Sequence, residues 1–314
     1  MKKVLFATTA LVASAGIASA QGVTLSGSAE MGIVGGTDME TQFWNDIDVK
    51  FSLSGETDNG LTFGATIDLD EINNSAGAIN ATKGGASTGG RDRNLSSVFL
   101  SGAFGTITMG DTDGAFDWAL QDLDIIGDIN DSNTTHAGFN GNAGLDGSYD
   151  GQVVRYDYTF GDFSFAVSLE QDDSAPVGPV VYGVGGKYSA DLAGINVGVG
   201  LGYQSNGTTD LIGLSLDAST DSGIRGVLNY TDYNDHPTRE SHVGVGVFYT
   251  MDAISVGVNY GQYDNVDGTN DDGVGLAANY DLGGGAVVQF GYSSGKVGAA
   301  DSVDQFSLGV AMSF

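Results

Sequence analysis

The sequence predicts an all-β protein: a closed antiparallel barrel of sixteen strands that crosses a membrane. Three observations lead there. Apolar residues recur at every second position through most of the chain, which is the strand period. The residues between them are mainly Gly, Ser, Thr and Asn, not the Lys and Glu of a soluble sheet face. Charge is scarce, at 16% of 314 residues against about 25% in ordinary globular chains. It is also lopsided, with 40 Asp and Glu against 11 Lys and Arg, and glycine reaches 51 while proline falls to 3.

The same composition excludes several classes. Outside the extreme N-terminus no apolar run approaches the roughly 18 residues of a spanning helix. A content of 41% hydrophobic and 10% aromatic residues is too rich for disorder. The acid excess excludes a nucleic-acid partner, because phosphate binding needs clustered Lys and Arg.

The chain opens with an export signal. Lys2 and Lys3 form a basic start, Val4 to Ile17 is apolar, and Ala18-Ser19-Ala20 is a cleavage site. The apolar stretch is too short for a comfortable membrane anchor. Cleavage after Ala20 leaves residues 21–314 as the barrel domain. That domain keeps 9 basic and 40 acidic residues, a net charge of −31. It has no cysteine, so hydrogen bonding and packing must hold it without disulfides.

Sixteen alternating segments follow, at about 23–34, 45–54, 60–71, 95–102, 104–111, 151–159, 162–171, 180–189, 194–204, 209–218, 223–232, 241–250, 253–263, 272–281, 285–294 and 305–314. Ile195, Val197, Val199, Leu201 and Tyr203 alternate with Asn196, Gly198, Gly200, Gly202 and Gln204. Phe306, Leu308, Val310, Met312 and Phe314 alternate with Ser307, Gly309, Ala311 and Ser313. Large apolar side chains facing lipid and small polar ones facing a watery lumen explain this pattern. Strands of about ten residues match the length needed to cross a bilayer at a tilt.

Connections alternate too. Tight turns at Gly55–Gly60, Gly161, Asp221–Gly223, Asp252 and Gly283-Gly284 are separated by longer segments rich in Asp, Asn, Gly, Ser and Thr. Short periplasmic turns and long extracellular loops are the outer-membrane barrel arrangement. An open edge in lipid would leave backbone groups unpaired at several kcal/mol each, so the sheet must close. Pro176, Pro179 and Pro237 fall in loops or at strand starts, where no ladder donor is lost. Tyr158, Phe160, Tyr203, Tyr230, Tyr249, Tyr280, Tyr292 and Phe314 stand near strand ends, as interfacial girdles require.

The order of these segments resembles the general diffusion porins of Gram-negative bacteria, most closely the alphaproteobacterial type. Ser97 to Gly110 is similar to the family's fourth and fifth strands with their short turn, and Asp111 to Asp117 to the start of its third loop. Gly60 to Ala65 resembles the third strand, and Phe314 the family's assembly signal. The resemblance implies a homotrimer of sixteen-stranded barrels, set in outer-membrane lipid and lipopolysaccharide and passing small hydrophilic solutes. It also implies that the long third loop folds inward to constrict each pore. Asp111 stands where many relatives carry arginine, and the wall is sparsely basic.

That loop, residues 111–150, is the longest stretch without strand pattern, and such stretches are usually functional. Its nine acids are Asp111, Asp113, Asp117, Asp122, Asp124, Asp128, Asp131, Asp146 and Asp150, with no Lys or Arg. Phe116, Trp118, Leu120, Leu123, Ile125 and Ile126 give it an apolar side that a loop hanging in water would not need. Alternation turns Lys50, Arg155, Lys187 and Arg225 inward as wall cations, and Glu30, Asp46, Asp48, Asp68, Asp70 and Asp157 as wall acids. Lys50 and Arg155 are expected at mid-height as partners of the loop, with Lys187 and Arg225 nearer the short-turn end. Acids dominate, so a weak cation preference is expected.

Exterior acids include Asp172, Asp173, Asp232, Asp235, Asp264, Asp267, Asp271 and Asp272. Asp264, Asp267 and Asp271 loosely resemble a calcium loop, without its full spacing or terminal Glu, so a structural Ca²⁺ is admitted though none is required. Catalysis finds little support: His136, His236 and His242 are the only histidines, and neither G-x-S-x-G nor H-E-x-x-H occurs. A sugar-specific channel is the alternative, but the inward residues are mostly small, with Phe99 and Phe248 as scattered aromatics.

Overall fold

A computed structural model describes residues 21–71, 96–123, 126–129, 134–149, 152–171 and 179–314. The export signal at 1–20, the acids Asp124, Asp131, Asp150, Asp172 and Asp173, and Ile125 and Pro176 lie outside the described residues, as does the side chain of Asp70. The sixteen strands are β1 (Gln21–Gly36), β2 (Met39–Glu56), β3 (Thr62–Glu71), β4 (Ser96–Gly102), β5 (Gly105–Gly110), β6 (Val153–Phe160), β7 (Phe163–Gln171) and β8 (Val180–Asp191), then β9 (Ile195–Ser205), β10 (Asp210–Thr220), β11 (Ile224–Asn234), β12 (Arg239–Met251), β13 (Ile254–Asn265), β14 (Asn270–Gly283), β15 (Ala286–Val297) and β16 (Val303–Ser313). Each pairs antiparallel with its neighbours in sequence. The ladder between β1 and β16, from Ser28 opposite Ser313 to Gly36 opposite Gln305, closes the barrel.

Closure satisfies the backbone, and alternation sorts the side chains. Val23, Leu25, Phe43, Phe163, Leu201, Ile212 and Val247 point outward and are exposed, part of an apolar surface that continues over most of the strands. On a soluble monomer a surface of this extent would be a liability; on a barrel it is the lipid belt. Phe160, Tyr280 and Phe314 lie exposed toward strand ends, as the girdle expectation requires, whereas Tyr230 is exposed in the middle of β11.

Strands run further on the extracellular side than the alternation predicts. β1 and β2 continue until only Thr37 and Asp38 join them, and Asp38 takes the left-handed φ of 58° that a tight hairpin uses. The connections after β11 and β13 shrink to residues 235–238 and 266–269. Beyond the lipid the outward residue need not be apolar, so pairing persists where alternation fades.

The buried apolar clusters lie not in the middle of the barrel but between its wall and the segment after β5. One holds Phe116, Leu120, Leu145, Val181 and Leu211. The other holds Leu123, Ile126, Val227, Phe248 and Ala277. The third loop therefore folds into the lumen, as its apolar residues predict.

Candidate pore constriction

The loop enters from β5 and turns at Gly114 into a short helix, α1 (Ala115–Ala119). Helix starts leave free N–H groups. Here Gly114 N donates to Asp146 Oδ2 at 2.8 Å, and Ala115 N donates to Ser168 Oγ on β7 at 2.8 Å. α1 packs on β7, β8 and β9 with Ala115, Phe116 and Ala119 against the wall.

From there a row of inward polar side chains carries the outgoing strand of the loop. Gln121 N donates to Ser215 Oγ at 3.1 Å. Asn229, Asn259 and Asn279 donate through Nδ2 to the carbonyls of Gln121, Leu123 and Gly127, at 2.6, 3.3 and 2.8 Å. The returning strand is held as firmly. His242 Nε2 donates to the Gly138 carbonyl at 2.9 Å, with its ring 4.5 Å from that of Tyr263. Leu145 N donates to Gln204 Oε1 at 2.6 Å, and Gly147 N and Tyr149 N donate to Glu170 at 2.9 and 3.0 Å. Where the contact is dry, as at Leu123 and Leu145, each bond pairs a backbone group that would otherwise be stranded, at about 1–3 kcal/mol per unpaired group.

Close seating needs a bare wall. A side chain at Gly185 or Gly200 would run into the carbonyls of Ala115 or Ala119 of α1. Gly261 and Gly275 leave the same room for Gly138 and Thr134, and Gly309 and Gly32 for the Ile129 side chain. Part of the glycine surplus is thus a side-chain-free strip that receives the loop.

The loop edge that faces water is acidic. Asp111, Asp113 and Asp122 are exposed, and Asp117 and Asp146 half-buried. Desolvation raises the Asp117 carboxyl to about 8, helped by Asp113, Asp122 and Asp146 and opposed by Lys187. Desolvation raises Asp146 to about 6, against the hydrogen bond from Gly114. Partial desolvation, then Asp113 and Asp68, raises Asp111, while Lys50 lowers it. Desolvation also raises Asp122, against a 2.6 Å hydrogen bond from Asn142.

Several expected roles change. Asp128 is not a lumen carboxylate: it is buried, accepts from Ser307 Oγ at 2.7 Å and Thr134 Oγ1 at 3.1 Å, and anchors the loop. Lys50 pairs with Asp68 on the adjacent strand at 2.8 Å, not with a loop acid, because the two share a register position. Arg155 reaches the loop through the Asp113 carbonyl at 2.6 Å, while its Nε meets Asp157 at 3.3 Å. Lys187 stands toward the short-turn end of β8, opposite Ser164, and its Nζ reaches to 4.1 Å from the centre of the Trp118 ring on the loop. Arg225 stays on the wall, paired with Asp217 at 3.0 Å. On β1 and β2, Asp48 accepts from Ser28 at 3.0 Å, and Glu30 from the Trp44 indole at 3.4 Å; Asp46 shares this face, half-buried.

The loose calcium motif is a β-hairpin with its acids in separate use. Asp271 pairs with Arg239 at 2.6 Å, Asp264 accepts from Ser241 and Gln262, and Asp267 accepts from Thr269. No metal-sized group of three acids or histidines occurs among the described residues. His136 bonds Asn259 at 3.1 Å, and His236 Nδ1 accepts from Thr238 N and Arg239 N in its turn.

The sixteen-stranded barrel has known counterparts. The family model described as Gram-negative porin matches residues 7–300. This chain belongs to the Gram-negative porins. It is 31% identical to a porin of Rhodobacter capsulatus over 93% of this chain and all of that one. A porin refined at 1.8 Å superposes with a TM-score of 0.69 at 26% identity, covering 93% of this chain and all of its own. A Rhodopseudomonas blastica porin variant shares the fold, with a TM-score of 0.67 at 20% identity and the same coverage. The porin is of the alphaproteobacterial general type and forms an outer-membrane channel for passive diffusion. The sequence reading missed the Asn row on β11, β13 and β14. An inward Asn in a strand where Gly and Ser are the rule was the available signal.

Proposed function

We propose that this porin is a weakly cation-preferring pore whose size limit is set by loop 111–150. One observation carries the ion preference: the wall cations near the loop are already engaged, whereas the acids of its edge face water. Lys50 meets Asp68, Arg155 meets Asp157 and a carbonyl, and Lys187 meets an indole. Asp111, Asp113 and Asp122 remain exposed. Rings of unmatched carboxylates draw cations into a pore. Exposed pairs such as Lys50–Asp68 add at most about 1 kcal/mol of stability, so their weight lies in cancelling positive charge.

Planar-bilayer recording across a KCl gradient tests this. The reversal potential is expected to favour K⁺, and replacing Asp111, Asp113 and Asp122 by Asn to bring it close to zero. A reversal potential favouring Cl⁻ in the unaltered porin would refute the reading.

We also read the porin as a homotrimer in outer-membrane lipid and lipopolysaccharide, exported by a signal peptide cut after Ala20. The family resemblance supports this, and Gly27 and Ala29 are small outward positions on β1 that permit close subunit approach. Sedimentation of the detergent-solubilised protein is expected to give three chains, and a monomer would remove the trimer. His136 and His242 are occupied in holding the loop, which supports a channel without catalysis.

A further inference from the structure

We propose that Trp118 is a selectivity residue: its indole covers the Lys187 ammonium and keeps that positive charge out of contact with passing anions. The inference rests on the loop being the constriction, and not on the sign of the porin's overall ion preference.

Lys187 is distinctive among the basic residues of the described barrel. Lys50, Arg155, Arg225, Arg239 and Lys296 each meet a carboxylate. Lys187 meets an aromatic face instead, at 4.1 Å from the ring centre. This lies well inside the roughly 6 Å over which a ring quadrupole attracts a cation. The Arg155 guanidinium stands 6.0 Å from the same ring, so one indole spans both inward cations beside α1.

The helix places the ring there. Ala115, Phe116 and Ala119 turn to the wall and are buried. Trp118 remains half-buried at the lumen edge of α1, where a purely structural aromatic would be covered. On β8, Lys187 stands opposite Ser164 of β7 and Gly200 of β9, so neither neighbouring strand offers a side chain large enough to cover it. The indole is therefore the lid on that ammonium.

A covered cation still contributes to the distant field, but contact is what discriminates ions in a narrow pore. Coulomb attraction falls with distance, and water and salt screen it further. A ring several ångströms thick removes the close approach through which a lysine would stabilise an anion. Asp113 and Asp117 lie near the same ammonium and offset its longer-range field. The porin thus keeps a wall lysine beside its constriction without an anion site.

The test is the K⁺/Cl⁻ permeability ratio of single channels in a KCl gradient. It compares the unaltered porin with Trp118→Phe, Trp118→Ala, Lys187→Gln and the double variant Trp118→Ala with Lys187→Gln. Trp118→Phe retains a ring and is expected to stay near the unaltered ratio. Trp118→Ala uncovers the ammonium and is expected to lower the ratio about twofold or more. In the Lys187→Gln background the same Trp118→Ala change is expected to leave the ratio unaltered. Trp118→Leu keeps apolar bulk on α1 without an aromatic face, and gives the same comparison should the alanine variant not refold. A tryptophan that only fills space would change conductance for both ions, and its effect on the ratio would persist without Lys187. That persistence, or an unchanged ratio in both Trp118→Ala and Trp118→Leu, would overturn the proposal.

Discussion

Phe116→Ala is expected to leave the barrel standing and to loosen its constriction. Phe116 is fully buried among Leu120, Leu145, Val181 and Leu211. Truncating such a phenylalanine costs about 3–5 kcal/mol, from lost burial and from the cavity left behind. The strand ladders do not depend on that side chain, so the loss falls on the contact between loop and wall. Free energies of local opening differ across a protein, and the segment with the fewest cooperative bonds opens first. The loop then leaves the wall a larger fraction of the time. Single-channel records should show higher mean conductance with added current noise, and protease should cut within residues 111–150 of the folded porin. Conductance, noise and protease resistance all equal to those of the unaltered porin would refute this account of what holds the loop.

Acidification from pH 9 to pH 5 is expected to reduce the cation preference, with the first part of the fall near pH 8. The Asp117 carboxyl titrates at about 8, pushed up by desolvation and by the carboxylates of Asp113, Asp122 and Asp146, with Lys187 the one cation opposing. Asp146 follows at about 6. Two negative charges thus leave the constriction above the range where ordinary carboxylates titrate, and the permeability ratio should fall by about half. The sign for loop seating runs the same way. The seated loop binds protons that a released loop, with Asp near 3.8, gives up. Seating is therefore strongest near pH 4 and weakens as pH rises through 6 and 8. Reversal potentials at pH 9, 7 and 5 check the first claim, and Asp117→Asn should abolish the change near pH 8. A ratio that stays flat down to pH 5 would contradict both.

Much of this molecule can be read from residue order. Strand β9 announces itself because Ile195 to Tyr203 alternates without a break, and lipid on one side enforces that alternation. Alternation marks β2 only from residue 45, although pairing begins at Met39. Above the lipid, Glu40, Thr41 and Gln42 carry no apolar signature, and hydrogen bonding alone continues the strand. α1 is too short, at five residues, to display a helical period. The inward folding of the third loop was legible in Phe116, Leu120, Leu123 and Ile126, because free loops seldom carry such residues. Which acids face water was not. Asp113 and Asp128 are alike in sequence, yet one edges the lumen and the other is buried against Ser307. Strand position fixes the height of the Lys187 Cα, but not that its long side chain reaches the Trp118 ring on the loop.

The bare strip along the inner wall ties two distant parts of the chain to a common inheritance. Gly200 suits a peptide of Ala119, Gly261 one of Gly138, and Gly275 one of Thr134. A strand glycine costs roughly 0.5–1 kcal/mol relative to alanine when nothing lies against it. Rerouting the loop would therefore leave uncovered glycines behind and meet unaccommodating side chains ahead. The bore of this channel is specified twice, once in the loop and once as its imprint on the wall. Grafting a third loop from another porin without the matching imprint should yield a wider, unsettled pore and not the donor's bore.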